Sequence, residues 1–447
     1  MTNIVFSFDT EDFVNPGGAD AIKKLIEIMD EEGVTGCFNT VGRLALALEK
    51  WGRQDVIEKM KHHEIETHTR NHSVHPTNCE YTDIPEYAPG EKEFLRIEQD
   101  GVDILKRVFD LDEVTIACPP GLDTSYVSHY GFAKMGMKIY TGSFVVDRPH
   151  NRPVSYANSY SLNYHDYGLE DFLPTADDRK LREVLDESAE YDVMVLWNHP
   201  AMILYDDFWD EMNYKGVNTP EEEWLPGRPL PQEKVDKFYE NFRKLIRLIK
   251  ADPRFRITTY KTLAKEYETT REIRLADIPF IKSQLDEAFF PVTFPDSYCL
   301  TDILYACRDF LLGETVHPCG WVFGFLDKPK AIDRPVTVSR AGMEASAKTL
   351  SDKDFLPLSV TVDGQELGTA DWLRAALELL VSGADRVTVE PGEWQIDLEK
   401  HFPRLAHTCY KGTWVFSEDL QDTYLSDRLR LQSWTIRLPA GTYRFVY

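Results

Sequence analysis

"HHEIETHTRNHSVHP", residues 62–76, decides how the first half of the chain is read. "HEIETHT" has the pattern of a short strand, and His68 and His72 stand four apart at its C-terminal end. A helical turn after the strand would put both imidazoles on one side, a spacing suited to a divalent metal. Thr69, Arg70 and Asn71 lie between them, so this is not the HExxH arrangement of zinc proteases. His75 precedes Pro76 and reads as a loop histidine rather than a third ligand. His62 and His63 end a helix, where an imidazolium complements the helix dipole.

Outward from this stretch, apolar runs alternate with helical patterns. "NIVFSF" (3–8) reads as a buried strand, and "GADAIKKLIEIMDEEG" (18–33) as the helix after it, ended by Gly33. "TGCFNTVG" (35–42) is a strand, "QDVIEKMKHH" (54–63) a helix, and "EFLRIEQDGVDILKRVF" (93–109) a longer helix. "VTIACPPG", "FAKMGMKIYTGSF", "YDVMVLWNH" and "VDKFYENFRKLIRLIKAD" continue the series. Repeated strand–helix units predict an α/β fold with a parallel sheet, open or closed into a barrel. Such sheets present the C-terminal ends of their strands to ligands. "VFSFD" ends in Asp9, "HEIETH" in His68 and "VMVLWNH" in His199, so the three are expected on one face.

At 447 residues the chain exceeds one typical core, and two domains are expected, at 1–270 and 271–447. The net charge of −25 argues against nucleic acid and anionic membrane surfaces as partners. No basic, apolar leader opens the chain, so a cytoplasmic location is expected. Seven scattered cysteines without a CxxC pair suit reduced thiols rather than disulfides or a cysteine zinc site. In the second half, "SYCLTDILYACRDFLLG" (297–313) and "GTADWLRAALELLVSG" (368–383) share Asp302/Asp371, Leu304/Leu373, Ala306/Ala375 and Leu311/Leu380. This is a weak repeat signal. "GTWVFS" and "QSWTIRLPAGTYRFVY" alternate like a β-hairpin, and the region is read as a smaller α+β domain of unassigned role.

Several motifs together resemble the polysaccharide deacetylase (NodB-homology, carbohydrate esterase family four) catalytic domain. "HHEIETHTRNH" (62–72) mirrors that family's GHEIGxHTxxH, and "GVTGCFNTVG" (33–42) its GVxATFFxxG. "FSFDTED" (6–12) corresponds to the first acidic motif, "VLWNHP" (195–200) to the closing leucine–histidine motif, and "FRITTYKTLAKEY" (255–267) to the last strand and helix. The resemblance covers roughly residues 1–270 and implies a distorted parallel (β/α) barrel. It implies metal-dependent hydrolysis of a non-peptide C–N bond, with metal-bound water as nucleophile. The substrate class would be an N-acylated sugar or a small amide, and the cofactor a divalent ion, zinc first.

Carried over residue by residue, the resemblance makes Asp9 the general base, His199 the general acid, and His68 and His72 metal ligands. Thr69 would brace the loop. The family's paired acids are interrupted here by Thr10, so Glu11 is the first choice of acidic ligand and Asp12 the alternative. The RxPxG motif appears as "ACPPG" (117–121), with Ala117 where an arginine would orient the base; Pro119, Pro120 and Gly121 fall on the substrate side. Two residues rather than one separate Leu196 from His199. Trp197, with Tyr164, Tyr167 and Trp209, offers a stacking wall for a sugar or ordinary packing. Asn198 would hold an imidazole or cap its strand, and residues 210–232 read as a lid or a solvated loop. The competing function is a catalytically weak or metal-free relative that binds carbohydrate or serves in an assembly.

Overall fold

A computed structural model describes residues 1–215, 217–293, 296–396, 402, 417 and 419–441. It divides into two compact units, each interrupted in sequence. The first comprises 1–153, 159–267 and 407–423; the second comprises 154–158, 268–406 and 424–447. Among the described residues, no helix is long and apolar enough to cross a membrane.

The first unit is built on an open, curled sheet, the distorted form of a (β/α) barrel. Its strands are β1 (Thr2–Thr10), β2 (Cys37–Thr40), β3 (Glu64–Thr67), β4 (Ile116–Ala117), β5 (Ile139–Thr141), β6 (Ser159–Leu162), β7 (Val193–Asn198) and β8 (Phe255–Thr258). They run in the order β6-β5-β4-β3-β2-β1-β7, and the ladders joining them are parallel. β1 carries three partners: β7 along Asn3–Phe8, β8 along Thr2–Val5 and β2 along Ser7–Thr10. A strand has two edges, so β8 and β2 must share the one opposite β7, which splits the barrel wall there.

β1 carries the apolar run Ile4–Phe6 with Phe8 because both faces of the strand are covered there. Phe6 and Phe8 face outward onto Phe242 of the helix Gln232–Ala251, with ring centroids 5.5 and 6.1 Å apart. Val5 faces inward with Cys37, Ile116, Ile139, Leu162, Val193 and Val195, closed by Tyr260 and Leu263 of the helix Tyr260–Tyr267. The period of two then continues the inward stripe to polar residues at the strand ends: Ser7 and Asp9, Asn39, Cys118, Thr141, Tyr164 and Trp197. An apolar floor under a polar mouth follows from that alternation. The helix Gly18–Glu32 ends at Gly33, whose φ of 67° is the left-handed cap that favours glycine.

In the second unit the helices Leu300–Leu311 and Thr369–Ser382 sit in matching surroundings. Each is followed by a strand (Val316–Pro318, Arg386–Val389) that pairs antiparallel with one lying before it (Glu272–Arg274, Val336–Ser339). The expected C-terminal hairpin differs: Gln432–Thr435 is a 3-10 turn that buries Trp434. Residues 412–416 and 442–447 of that expectation lie outside the described residues.

Candidate metal centre

The stretch after β3 is not the helical turn anticipated from the i, i+4 spacing. Residues 68–77 form turns and bends, and Thr69 (φ 64°) and His72 (φ 55°) both adopt left-handed backbone. Each such residue costs roughly 1–2 kcal/mol for a side chain with Cβ. The loop is held by Thr69 Oγ1, which accepts the His72 N–H at 3.0 Å, and by buried Glu98, which accepts the Arg70 N–H at 2.9 Å. Gly101 lets the loop lie close, since a Cβ there would stand 2.8 Å from Arg70 Cβ.

This loop turns both imidazoles toward β1. Glu11 Oε2 lies 3.1 Å from His68 Nε2 and 2.8 Å from His72 Nε2. The donor atoms of Glu11, His68 and His72 lie within 4.8 Å of one another, and all three side chains are buried. Asp12 turns away into its own loop, accepting from Val14 N, Asn15 N and Asn15 Nδ2 at 2.8–2.9 Å. Of the two candidate acids, Glu11 is therefore the one that meets the histidines. Burial pushes the Asp12 carboxyl up to about 6 despite those bonds.

Two imidazole nitrogens and one carboxylate oxygen make a donor set that suits zinc or a similar divalent ion. His68 Nδ1 faces the Cys118 carbonyl, which fixes the ring's orientation and leaves Nε2 toward Glu11. Without an ion, burial lowers the His68 pKa, but Asp9 and the contacts with Cys118 and Glu11 carry it well above the usual value. Burial leaves His72 below its usual value. Glu11 is held well below the carboxylate range, because His72, His199 and the imidazole hydrogen bonds outweigh its burial. These residues fit a divalent cation, which would take the place of the shared Nε2 protons. Asp9, His68 and Cys118 also meet the spacing for a metal site. There the thiol is pushed up by burial and by Asp9, which favours its protonated form.

Asp9 stands opposite Asn39 in the β1–β2 register, and Asn39 Nδ2 donates to Asp9 Oδ1 at 2.8 Å. The Tyr164 hydroxyl reaches the same oxygen at 3.3 Å. Asn39 and Tyr164 are neutral donors, and Ala117 stands where the motif has an arginine. His199 Nε2 lies 4.0 Å from Asp9 Oδ2, and His199 Nδ1 lies 2.7 Å from Glu170 Oε1. Burial lowers the His199 pKa, but Glu11, Glu170 and Asp9 together push it up to about 10. Glu170 also accepts from Asn198 Nδ2 at 2.6 Å, so Asn198 serves His199 indirectly.

Trp197 and Tyr164 stack with centroids 5.7 Å apart, and Trp197 meets His199 edge-on at 5.1 Å. Of the other aromatics in the expected wall, Trp209 is buried beneath Glu11, donating Nε1–H to Oε1 at 3.0 Å. Tyr167 instead bonds Glu187. Pro119 and Pro120 are buried just past Cys118, and Gly121 takes a positive φ of 51°. His75 pairs with Glu80 at 2.7 Å, away from the cluster. The 210–232 stretch is tied down, with Asn218 exchanging two hydrogen bonds with the His75 backbone and Gly227 N donating to Asn15. Glu170, Asn39, Cys118 and Asp210 are site residues to which the sequence assigned no role. Asn39 and Cys118 had a readable signal, their places at strand ends within the quoted motifs.

No protein-family model and no curated protein matches the chain. Among solved structures it is similar to one described as a polysaccharide deacetylase from Mycobacterium smegmatis, at 15% identity and a TM-score of 0.37, covering 59% of this chain and 89% of that one. It is similar to another so described from Pseudomonas aeruginosa PAO1, at 10% identity and a TM-score of 0.39, covering 60% and 90%. A third is the Puue allantoinase, at 11% identity and a TM-score of 0.40, covering 60% and 90%.

Proposed function

We propose that the first unit is a metal-dependent hydrolase of non-peptide C–N bonds, of the polysaccharide deacetylase type, and that it removes an acyl group from an N-acylated sugar or a small amide. The observation that carries this reading is the convergence of Glu11, His68 and His72 beside an acid–base pair, Asp9 and His199. A divalent ion held by those three residues would polarise the amide carbonyl and bring the pKa of water toward neutrality.

The chain's own residues divide the remaining work. Asp9, oriented by Asn39 and Tyr164, takes the proton of the attacking water. His199, with Nε2 on the side of Asp9, gives its Nε2 proton to the departing nitrogen. Glu170 fixes the His199 ring through Nδ1. General acid–base help of this kind is worth ~10²–10⁴-fold. Trp197 and Tyr164 offer the faces on which a sugar ring would rest.

The test is release of acid from N-acetylated sugars and small amides by the protein supplied with zinc, cobalt or manganese, and by the same protein after chelation. Metal-dependent release supports the reading. Its absence with every ion would favour the carbohydrate-binding or assembly role instead.

A further inference from the structure

Two of the three donor residues are gripped from behind by neighbours in one short stretch of chain. Trp209 and Asp210 open the helix Trp209–Asn213, 198 residues from Glu11 in sequence. Trp209 Nε1 donates to Glu11 Oε1, leaving Oε2 to face the histidines. Asp210 Oδ2 lies 3.4 Å from His72 Nδ1, the nitrogen on the far side from Glu11. Ser73 Oγ shares that nitrogen at 3.2 Å. Trp209 is itself wedged between Phe13 and the His72 ring, with centroids 4.6 and 5.2 Å away.

Asp210 is 0% exposed. An enclosed carboxylate near a second one, Glu11, costs several kcal/mol unless positive charge compensates both. An asparagine would fill the same space without that penalty, so the acid calls for a reason beyond packing. A divalent cation on the opposite side of His72 supplies one, because a carboxylate behind a ligating imidazole fixes its tautomer and raises its basicity.

We infer that Trp209 and Asp210 are positioning residues for the metal centre, Trp209 orienting the Glu11 carboxylate and Asp210 orienting His72. The inference rests on the metal reading above. In this arrangement His72 Nδ1 meets Ser73 Oγ and lies beside the Asp210 carboxyl, and its Nε2 is left for the ion.

The test uses the full chain, stripped of metal, with zinc affinity measured by competition against a chromophoric chelator and the metal-free unfolding midpoint measured alongside. The wild type is expected to bind one zinc. Asp210→Asn and Trp209→Phe are each expected to weaken binding by ~10–100-fold with the stoichiometry unchanged. The metal-free midpoint of Asp210→Asn should stay near wild type, since the amide fills the same space as the carboxyl. Wild-type affinity in both variants would overturn the inference. So would an affinity loss accompanied by a lower metal-free midpoint in Asp210→Asn, which marks a packing role. If Asp210→Asn does not fold, Trp209→Phe decides alone: it removes the indole N–H together with part of the ring, and wild-type zinc affinity in it would overturn the inference. Absence of zinc binding in the wild type would instead overturn the metal reading, and this inference with it.

Discussion

His199 and Glu170 form a dyad, with His199 Nδ1 2.7 Å from Glu170 Oε1 and the opposite ring nitrogen directed toward Asp9. Replacing His199 with alanine should lower kcat by ~10²–10⁴-fold on whichever amide the protein hydrolyses. Glu170→Gln keeps the shape and removes the charge, so it should lower kcat by about 10-fold or more while changing KM little. Initial rates over a range of substrate concentrations check this. Unchanged kcat in Glu170→Gln would remove Glu170 from the mechanism.

Asn39 and Tyr164 hold Asp9 with neutral donors. Asn39→Ala should reduce kcat by about 10-fold or more while leaving bound metal unaltered, because Asp9 is not part of the Glu11–His68–His72 set. Parallel assays of rate and metal content separate the two. Lost metal would show that Asn39 supports the centre itself.

Glu11 and Asp12 are adjacent but face different partners. Glu11→Gln should abolish or severely weaken metal binding. Asp12→Ala should retain the metal and instead destabilise the fold by about 1–3 kcal/mol, through the hydrogen bonds lost to Val14 and Asn15. Metal analysis and denaturant unfolding of both variants read this out, and the reverse pattern would reassign the ligand.

His129 is enclosed against the Tyr140 ring, with centroids 3.9 Å apart, and burial lowers its pKa to about 3. An unfolded histidine titrates near ~6.5, so between these values the unfolded chain binds more protons than the folded one. This group therefore stabilises the fold above that window and loses its contribution as pH falls through it, with a slope approaching about 1.4 kcal/mol per pH unit. His129→Leu should flatten that part of the stability profile. An undiminished slope in the variant would assign the acid sensitivity elsewhere.

The strand ends were legible because a parallel strand announces itself as an apolar run, and its next residue must open onto the mouth of the sheet. Asp9, His68 and His199 were placed together on that ground alone. The path of the His68–His72 loop was not legible, since two non-glycine residues with positive φ leave no mark in spacing and are held by Glu98, a helix residue some 30 positions away in sequence. Glu170 and Asp210 were hidden for a related reason. Both lie in short helices between loops, and their partners are distant in sequence or reached only after the sheet has formed. The weak helix repeat gained meaning only from the strands around it, which pair in the same way in both copies.

The most direct measurement is the metal content of the purified full chain beside that of a His68→Ala, His72→Ala variant, both after supplementation with zinc and removal of the excess. The account predicts near one equivalent in the wild type and none in the variant. Equal metal in both, or none in either, would contradict it.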